Sequence, residues 1–358
     1  MLKTEAYING MSCISPQQTI NSCGIPDDMM GLRDTLYLKC IEPIYKKYID
    51  PMAARRMSRL VKMGIYTAKS CLENAGIENP DAIITGTGLG CVEDTEKFLS
   101  SIILNEENLL NPTPFIQSTH NTISSQISLN LKCHAYNITY AHRGLSFESA
   151  LLDSLLMLRE DSVEKVLIGS ADEITPNTFA ITNRMGHWKT GNLSNLNILN
   201  STTKGTIAGE GSAFFLLLNK PTQSSFAKIC SVETFSYSMD AESVKESAES
   251  FLKNNNIEKS DIDLVMLGIN GDNRFDHFYY ELTKTIFENN ACAYFKHLCG
   301  EYHTASSFAI WMAAAILKGQ SIPGFIRINN VHESKLKNIL IYNNYRNLSH
   351  SFILLKYA

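Results

Sequence analysis

Two stretches of this chain, 180 residues apart, read as copies of one another. Residues 68–81 are AKSCLENAGIENPD and residues 248–261 are AESFLKNNNIEKSD. Ala68, Ser70, Leu72, Asn74, Ile77, Glu78 and Asp81 recur as Ala248, Ser250, Leu252, Asn254, Ile257, Glu258 and Asp261. Each copy runs into an apolar stretch that stops at glycine, Ala82-Ile83-Ile84-Thr85-Gly86 and Leu264-Val265-Met266-Leu267-Gly268. The pattern predicts a helix, a short turn, a buried strand and a tight exit where glycine tolerates positive φ. Seven identities in fourteen, with the same strand behind them, favour duplication over chance similarity of two amphipathic helices. At 358 residues the chain has room for two such units, with a soft boundary near residue 220.

The rest of the chain agrees with an α/β protein. Ser146 to Arg159 is helical in period, Val166-Leu167-Ile168 is a short buried strand ending at Gly169, and Phe214 to Leu218 is another. Thr304 to Lys318 is a helix whose Ala305, Ala309 and Ala313–Ala315 permit close packing. Short apolar strands between helices imply buried sheets. Residues 184–206, rich in Asn, Thr, Gly and Ser, predict a surface loop.

Composition excludes several functions. Hydrophobic residues make up 44% and charged residues 19%, enough to bury a core. A net charge of −4 does not suit a general nucleic-acid binder, which neutralises phosphates with a basic face. The basic stretches are Lys46-Lys47 and Arg55-Arg56-Met57-Ser58-Arg59. They read as a solvated helix face or, with Lys62, as a landing for an acidic partner. The longest apolar run, Phe308 to Leu317, is shorter than the about 20 residues that span a membrane. Met1-Leu2-Lys3-Thr4-Glu5 carries an acid with no long apolar core behind it, so no secretory leader is expected. The nine cysteines, Cys23 among them, are odd in number and lack a C-x-x-C pair, which fits reduced thiols in the cytoplasm. The histidines, His332 included, form neither an H-x-x-x-H nor an H-E-x-x-H pair, so no metal site is expected. Gly86-Thr87-Gly88-Leu89-Gly90 lacks the G-x-G-x-x-G spacing and reads as a strand-to-helix turn, leaving no cofactor implied.

Several motifs, in order, resemble the β-ketoacyl synthase family of the thiolase fold. Thr85–Gly90 resembles its glycine turn, and Asn111-Pro112-Thr113-Pro114-Phe115 with Ser118 and Asn121 resembles the segment before its active site. Val166–Asp172 and Gly205–Ala213 are similar to two further family motifs, as are Lys296 with Gly300, and Gln320-Ser321-Ile322-Pro323. The resemblance implies a duplicated thiolase-like α/β fold of layered helices and mixed β-sheets, with halves 1–220 and 221–358. It also implies a cysteine that takes an acyl chain from a carrier protein and two histidines that assist decarboxylation of a malonyl thioester.

The positions for that chemistry have changed. The cysteine falls on Gly144, the first histidine on Gly268 and the second on Glu301, while Asn343-Asn344-Tyr345-Arg346-Asn347 replaces a glycine-rich loop. Glycine cannot form a thioester. The resemblance therefore points to a chain-length-factor subunit, one lacking its own nucleophile. Such a subunit pairs as a heterodimer with an active ketosynthase in polyketide, aryl polyene or flexirubin-type synthesis, with an acyl carrier protein as a further partner. The alternative is an acyltransferase with relocated groups, Ser146 or Cys299 as nucleophile and His142 or His303 as base. Against it, Ser146 reads as a helix N-cap and Cys299 as a buried thiol. A third reading is a scaffold without an acyl tunnel. His142, Arg143 and Glu148 read as a structural ion-pair network or, alternatively, a gate.

Overall fold

The computed structural model describes residues 5–20, 24–26, 36–190, 194–237, 240–329 and 335–358. Cys23, His332 and Met1–Thr4 lie outside them. Ten strands form one mixed sheet: β1 (Ala6–Ile14), β3 (Ala82–Gly86), β4 (Tyr136–Tyr140), β5 (Lys165–Asp172), β7 (Gly211–Leu218), β8 (Ala227–Phe235), β9 (Leu264–Leu267), β10 (Ala291–Tyr294), β11 (Asn338–Tyr345) and β12 (Ser349–Lys356). Two short strands, β2 (Tyr37–Leu38) and β6 (Ala208–Gly209), pair separately. The order across the sheet is β10-β9-β11-β12-β8-β1-β7-β5-β3-β4. From the centre outward, β1-β7-β5-β3-β4 and β8-β12-β11-β9-β10 have the same sequence order and the same parallel and antiparallel pairings.

The repeated sequence segments occupy equivalent places. Residues 68–75 end the helix Arg59–Ala75, which Ser58 Oγ caps by accepting from Val61 N at 3.2 Å and Gly76 closes at φ 68°. Residues 248–254 end the helix Ala241–Asn254, capped by Asp240. Beyond the helices the register slips by two. Asp81 Oδ2 accepts from Glu164 N and Lys165 N and so pins the start of β5 beside β3. In the second half that clamp is Asp263, which accepts from Lys337 N and Asn338 N at the start of β11. Asp261 lies instead in a single 3-10 turn, Lys259–Asp261.

Strand alternation divides the core. Val166 and Ile168 of β5, Phe215 and Leu217 of β7, Leu264 and Met266 of β9, and Ile339 and Ile341 of β11 face one central core. That core contains the helix Ser306–Gly319, buried from Ser306 through Leu317, and the inner face of the helix Ser146–Arg159. The intervening residues face two outer cores, Ile83, Leu167 and Leu216 on one side and Val265, Leu340 and Leu354 on the other. Period-2 patterning therefore makes the layers, because both faces of every central strand are covered.

One local expectation is corrected. Residues 184–206 form a surface loop only in part where described. Trp188 bridges Thr206, Asn195 is fully buried in the turn Asn195–Asn200, and Lys189 donates to Thr203 O and Oγ1. The polar residues that suggested a loop serve buried hydrogen bonds. Among the described residues, no helix is long and apolar enough to cross a membrane.

Candidate functional site

The ends of β5, β9 and β11 converge on the starts of the two central helices, and a cleft of roughly 200 Å³ opens there. Its lining includes Arg143, Asp172, Trp188, Glu301, His303 and Tyr345. Asp172 is held by four donors: Thr87 Oγ1 (3.0 Å), Gly88 N (2.7 Å), Thr304 N (3.0 Å) and Thr304 Oγ1 (2.8 Å). The glycine turn after β3 thus grips the end of β5 and the entrance to the second central helix. Glu173 beside it accepts from Glu93 N, and burial pushes its carboxyl up to about 7.

A buried ion pair forms the floor. Lys296 Nζ lies 2.8 Å from Glu301 Oε2, which also accepts from Asn270 Nδ2 at 2.6 Å. Lys296 donates to Asn344 O at 3.2 Å as well. Glu301 Oε1 is buried and has no partner among the described residues. Glycines bring these elements together. Gly209 N donates to Glu301 O and Glu301 N to Ile207 O, and a side chain on Gly209 would collide with Cys299 O.

The β11–β12 hairpin supplies the lid. Arg346 and Asn347 both sit in the left-handed region (φ 56° and 55°), Leu348 N donates to Tyr345 O, and Tyr345 pairs with Ser349, so only Arg346–Leu348 connect the two strands. This short turn lays the Tyr345 ring against the helix entrance at residue 144. Its hydroxyl is 3.2 Å from His303 Nε2, and the two rings lie 4.8 Å apart. Burial lowers the His303 pKa and favours the neutral ring.

Residues 39–192 match the family model described as beta-ketoacyl synthase, N-terminal domain. Comparison with curated protein sequences gives no match. Among solved structures, the ishigamide ketosynthase/chain length factor superimposes with a TM-score of 0.81 at 14% identity, covering 100% of both chains. A beta-ketoacyl synthase from Burkholderia phymatum STM815 gives 0.80 at 14% identity, covering 99% of this chain and 100% of that one. The ketosynthase ApeO in complex with its chain length factor ApeC, from Xenorhabdus doucetiae, gives 0.73 at 12% identity over 99% and 98%. The chain is ketosynthase-like. Its fold is the duplicated, thiolase-like α/β architecture.

The three positions assigned by the sequence resemblance, Gly144, Gly268 and Glu301, lie around the cleft and the floor beneath it. Gly144 is buried at the helix entrance, and a Cβ built on it would stand 2.8–3.0 Å from Tyr345 side-chain atoms. Gly268 follows β9, where a Cβ would stand 2.7 Å from Asn343 Oδ1 and Tyr279 Oη. Neither position has space for a side chain as its neighbours stand. Glu301 is fixed by Lys296 and Asn270.

The alternative residues are dispersed. Ser146 is not an N-cap: it is the first residue of its helix, after the 3-10 turn Arg143–Leu145. Its hydroxyl donates to Arg143 O and accepts from His142 N, both at 2.8 Å, so the backbone holds it. The His142 side chain is exposed and meets Ser149 Oγ at 3.4 Å. Cys299 is fully buried, its thiol donates to Gly300 O, and burial raises its pKa well above the usual thiol value. Of the four, His303 lines the cleft. The ion-pair network expected of His142, Arg143 and Glu148 is not present. His142 and Arg143 are exposed, whereas Glu148 is fully buried and accepts from Ser351 Oγ at 2.9 Å.

Within the basic cluster, Arg59 is structural. It makes two hydrogen bonds, at 2.8 and 2.6 Å, to the fully buried Glu210, which also accepts from Cys40 N and Ile174 N. The G-E-G triplet carried that signal, but its partner 151 residues away did not announce itself. Tyr345 was visible only as an unusual residue in a loop.

Proposed function

We propose that this chain is a subunit without a nucleophile of its own, a chain-length factor that pairs with an active β-ketoacyl carrier-protein synthase and helps shape the growing acyl chain. The observation that carries the reading is the Tyr345 ring, which occupies the space a side chain on residue 144 would need. The crowded Gly268 and the ion-paired Glu301 support it, since the two histidine positions hold neither an imidazole nor room for one at 268. We divide the chain near residue 220, at the join of the two strand sets.

The pairing surface we assign is the open edge of β4 with its flanking helices. Strand β4 ends the sheet, and Leu129 and Leu156 on the helices Thr122–Leu131 and Ser146–Arg159 beside it are exposed. Exposed apolar side chains next to an unpaired strand edge suit a large, permanent interface. Two of the similar structures are of a ketosynthase with a chain length factor. Arg55, Arg56, Lys62 and Lys97 line a separate cleft of about 320 Å³, and an acidic carrier protein would dock there, without Arg59.

Co-expression with a ketosynthase encoded beside it tests the assignment. The pair is expected to copurify as a one-to-one complex. Intact mass of the isolated chain, incubated with acyl and malonyl carrier proteins, is expected to show no covalent adduct and no decarboxylation. Acylation of this chain, or its persistence as a monomer in the presence of that ketosynthase, would overturn the reading.

A further inference from the structure

The cleft at the altered catalytic positions is narrowed by Tyr345 but not filled. We propose that it is a non-covalent binding site for an uncharged, single-ring molecule bearing a hydroxyl, which donates to Glu301 and packs against Trp188 and Leu89. The inference does not depend on pairing with a ketosynthase.

Size sets the first limit. A space of roughly 200 Å³ accommodates one ring with a small substituent, since an apolar cavity of about 150 Å³ holds benzene. Shape is held firmly on one side. Trp188 Nε1 donates to Thr182 Oγ1 at 2.6 Å, and its ring stacks on Phe179 at 6.3 Å with an interplanar angle of 5°, so the indole is a fixed wall. Leu89, Ile174 and Met185 extend the apolar lining towards the mouth.

Charge sets the second limit. An anion entering the cleft would meet Asp172, whose four hydrogen-bond donors are neutral groups, and would pass Glu173. A cation would meet Arg143 at the rim and would find Glu301 already neutralised by Lys296. Either charged ligand would lose hydration and meet a like charge beside the opposite one, an anion facing Asp172 as well as Arg143 and a cation facing Arg143 as well as Asp172. A neutral ligand avoids that cost. Glu301 Oε1, buried and without a partner among the described residues, offers an ionised acceptor, the strong kind of hydrogen-bond partner for a hydroxyl. A phenol-type group satisfies all three conditions.

Titration of the full chain with p-cresol, followed by calorimetry and ligand-observed NMR, tests this. Saturable one-to-one binding is expected. Toluene, which has the ring but no donor, should bind at least about tenfold more weakly. Two charged analogues of the same size, 4-methylbenzoate and 4-methylbenzylamine, should show no saturable binding. Leu89→Trp, which fills the mouth and leaves the Lys296–Glu301 pair untouched, should abolish p-cresol binding while the chain stays folded by circular dichroism. Absence of p-cresol binding to the unaltered chain would overturn the proposal. So would equal affinity for toluene, tighter binding of either charged analogue, or undiminished binding to folded Leu89→Trp.

Discussion

The two ends of the sheet are built from equivalent strands and finished in opposite ways. At one end β10 is capped by its own chain. Ala293 bridges Arg327, Ile328 N donates to Cys292 O, and Asn329 Oδ1 accepts from Cys292 N while its Nδ2 donates to Asn290 O. Strand β10 is mostly buried as a result. At the other end β4 is bonded to β3 alone, and Tyr136 and Asn137 are exposed. Unprotected edges invite uncontrolled pairing, so a chain that covers one of two equivalent edges and leaves the other bare, with leucines beside it, has a use for the bare one. The interiors differ as well. The first half holds Arg59 and Glu210 as its buried ion pair, and the second holds Lys296 and Glu301.

The sharpest way to break this contrast is to charge the bare edge. Leu129→Glu with Leu156→Glu alters two exposed side chains, so the melting temperature of the chain alone should barely move. Affinity for a partner ketosynthase should fall at least about 100-fold, because each carboxylate would be buried without a counter-ion. An unchanged dissociation constant would remove β4 from the interface.

A second comparison concerns buried carboxyls, one in each half. Burial raises Glu173 to about 7, and it raises Asp276 to about 7 as well, although Asp276 accepts from Asn270 N and Gly271 N. A raised carboxyl favours the folded state while it is protonated. The stability tied to each is present below about pH 4.5 and is lost as pH rises through about 7. Glu173→Gln keeps an acceptor for Glu93 N and cannot ionise. It should stabilise the chain by roughly 2–3 kcal/mol at pH 8, relative to its effect at pH 4.5, in denaturant titrations. Parallel pH profiles of the two proteins would show that Glu173 is not strained at neutral pH.

The smallest effect is expected at the capped edge. Asn329→Ala removes two hydrogen bonds that hold the cover over β10. About 1–2 kcal/mol of stability should be lost, and amide exchange should quicken at Cys292 before it does at Ile138. Equal exchange at both edges in the unaltered chain would erase the distinction between them.

Much of this architecture was written locally. The repeat at 68–81 and 248–261 located two helices and the strands that follow, because amphipathic period is a property of adjacent residues. The exit glycines Gly86 and Gly268 do not take the positive φ expected of them, and instead sit where the Ser146 backbone and the Asn343 and Tyr279 side chains leave no room for a Cβ. Gly144, Gly268 and Glu301, which the resemblance singled out from segments far apart in the chain, lie near one another in the fold, with Glu301 lining the cleft. What remained illegible was set by long-range contact. The ring of Tyr345 crosses to residue 144, some two hundred positions earlier, and nothing near either residue signals the meeting. Arg59 looked like surface because Glu210, its partner, lies in another motif. Ser146 looked like a cap because serine favours that role, but the preceding 3-10 turn shifted the helix start by one residue. Asp261 matched Asp81 by letter, whereas the clamp belongs to Asp263 after an extra turn.

The short connection Arg346–Leu348 has a further consequence. With the hairpin at this length, a thiol introduced at position 144 would collide with the Tyr345 side chain as it stands. Gly144→Cys alone would therefore gain a crowded sulfur, and room for it depends on the Tyr345 side chain shifting or being replaced.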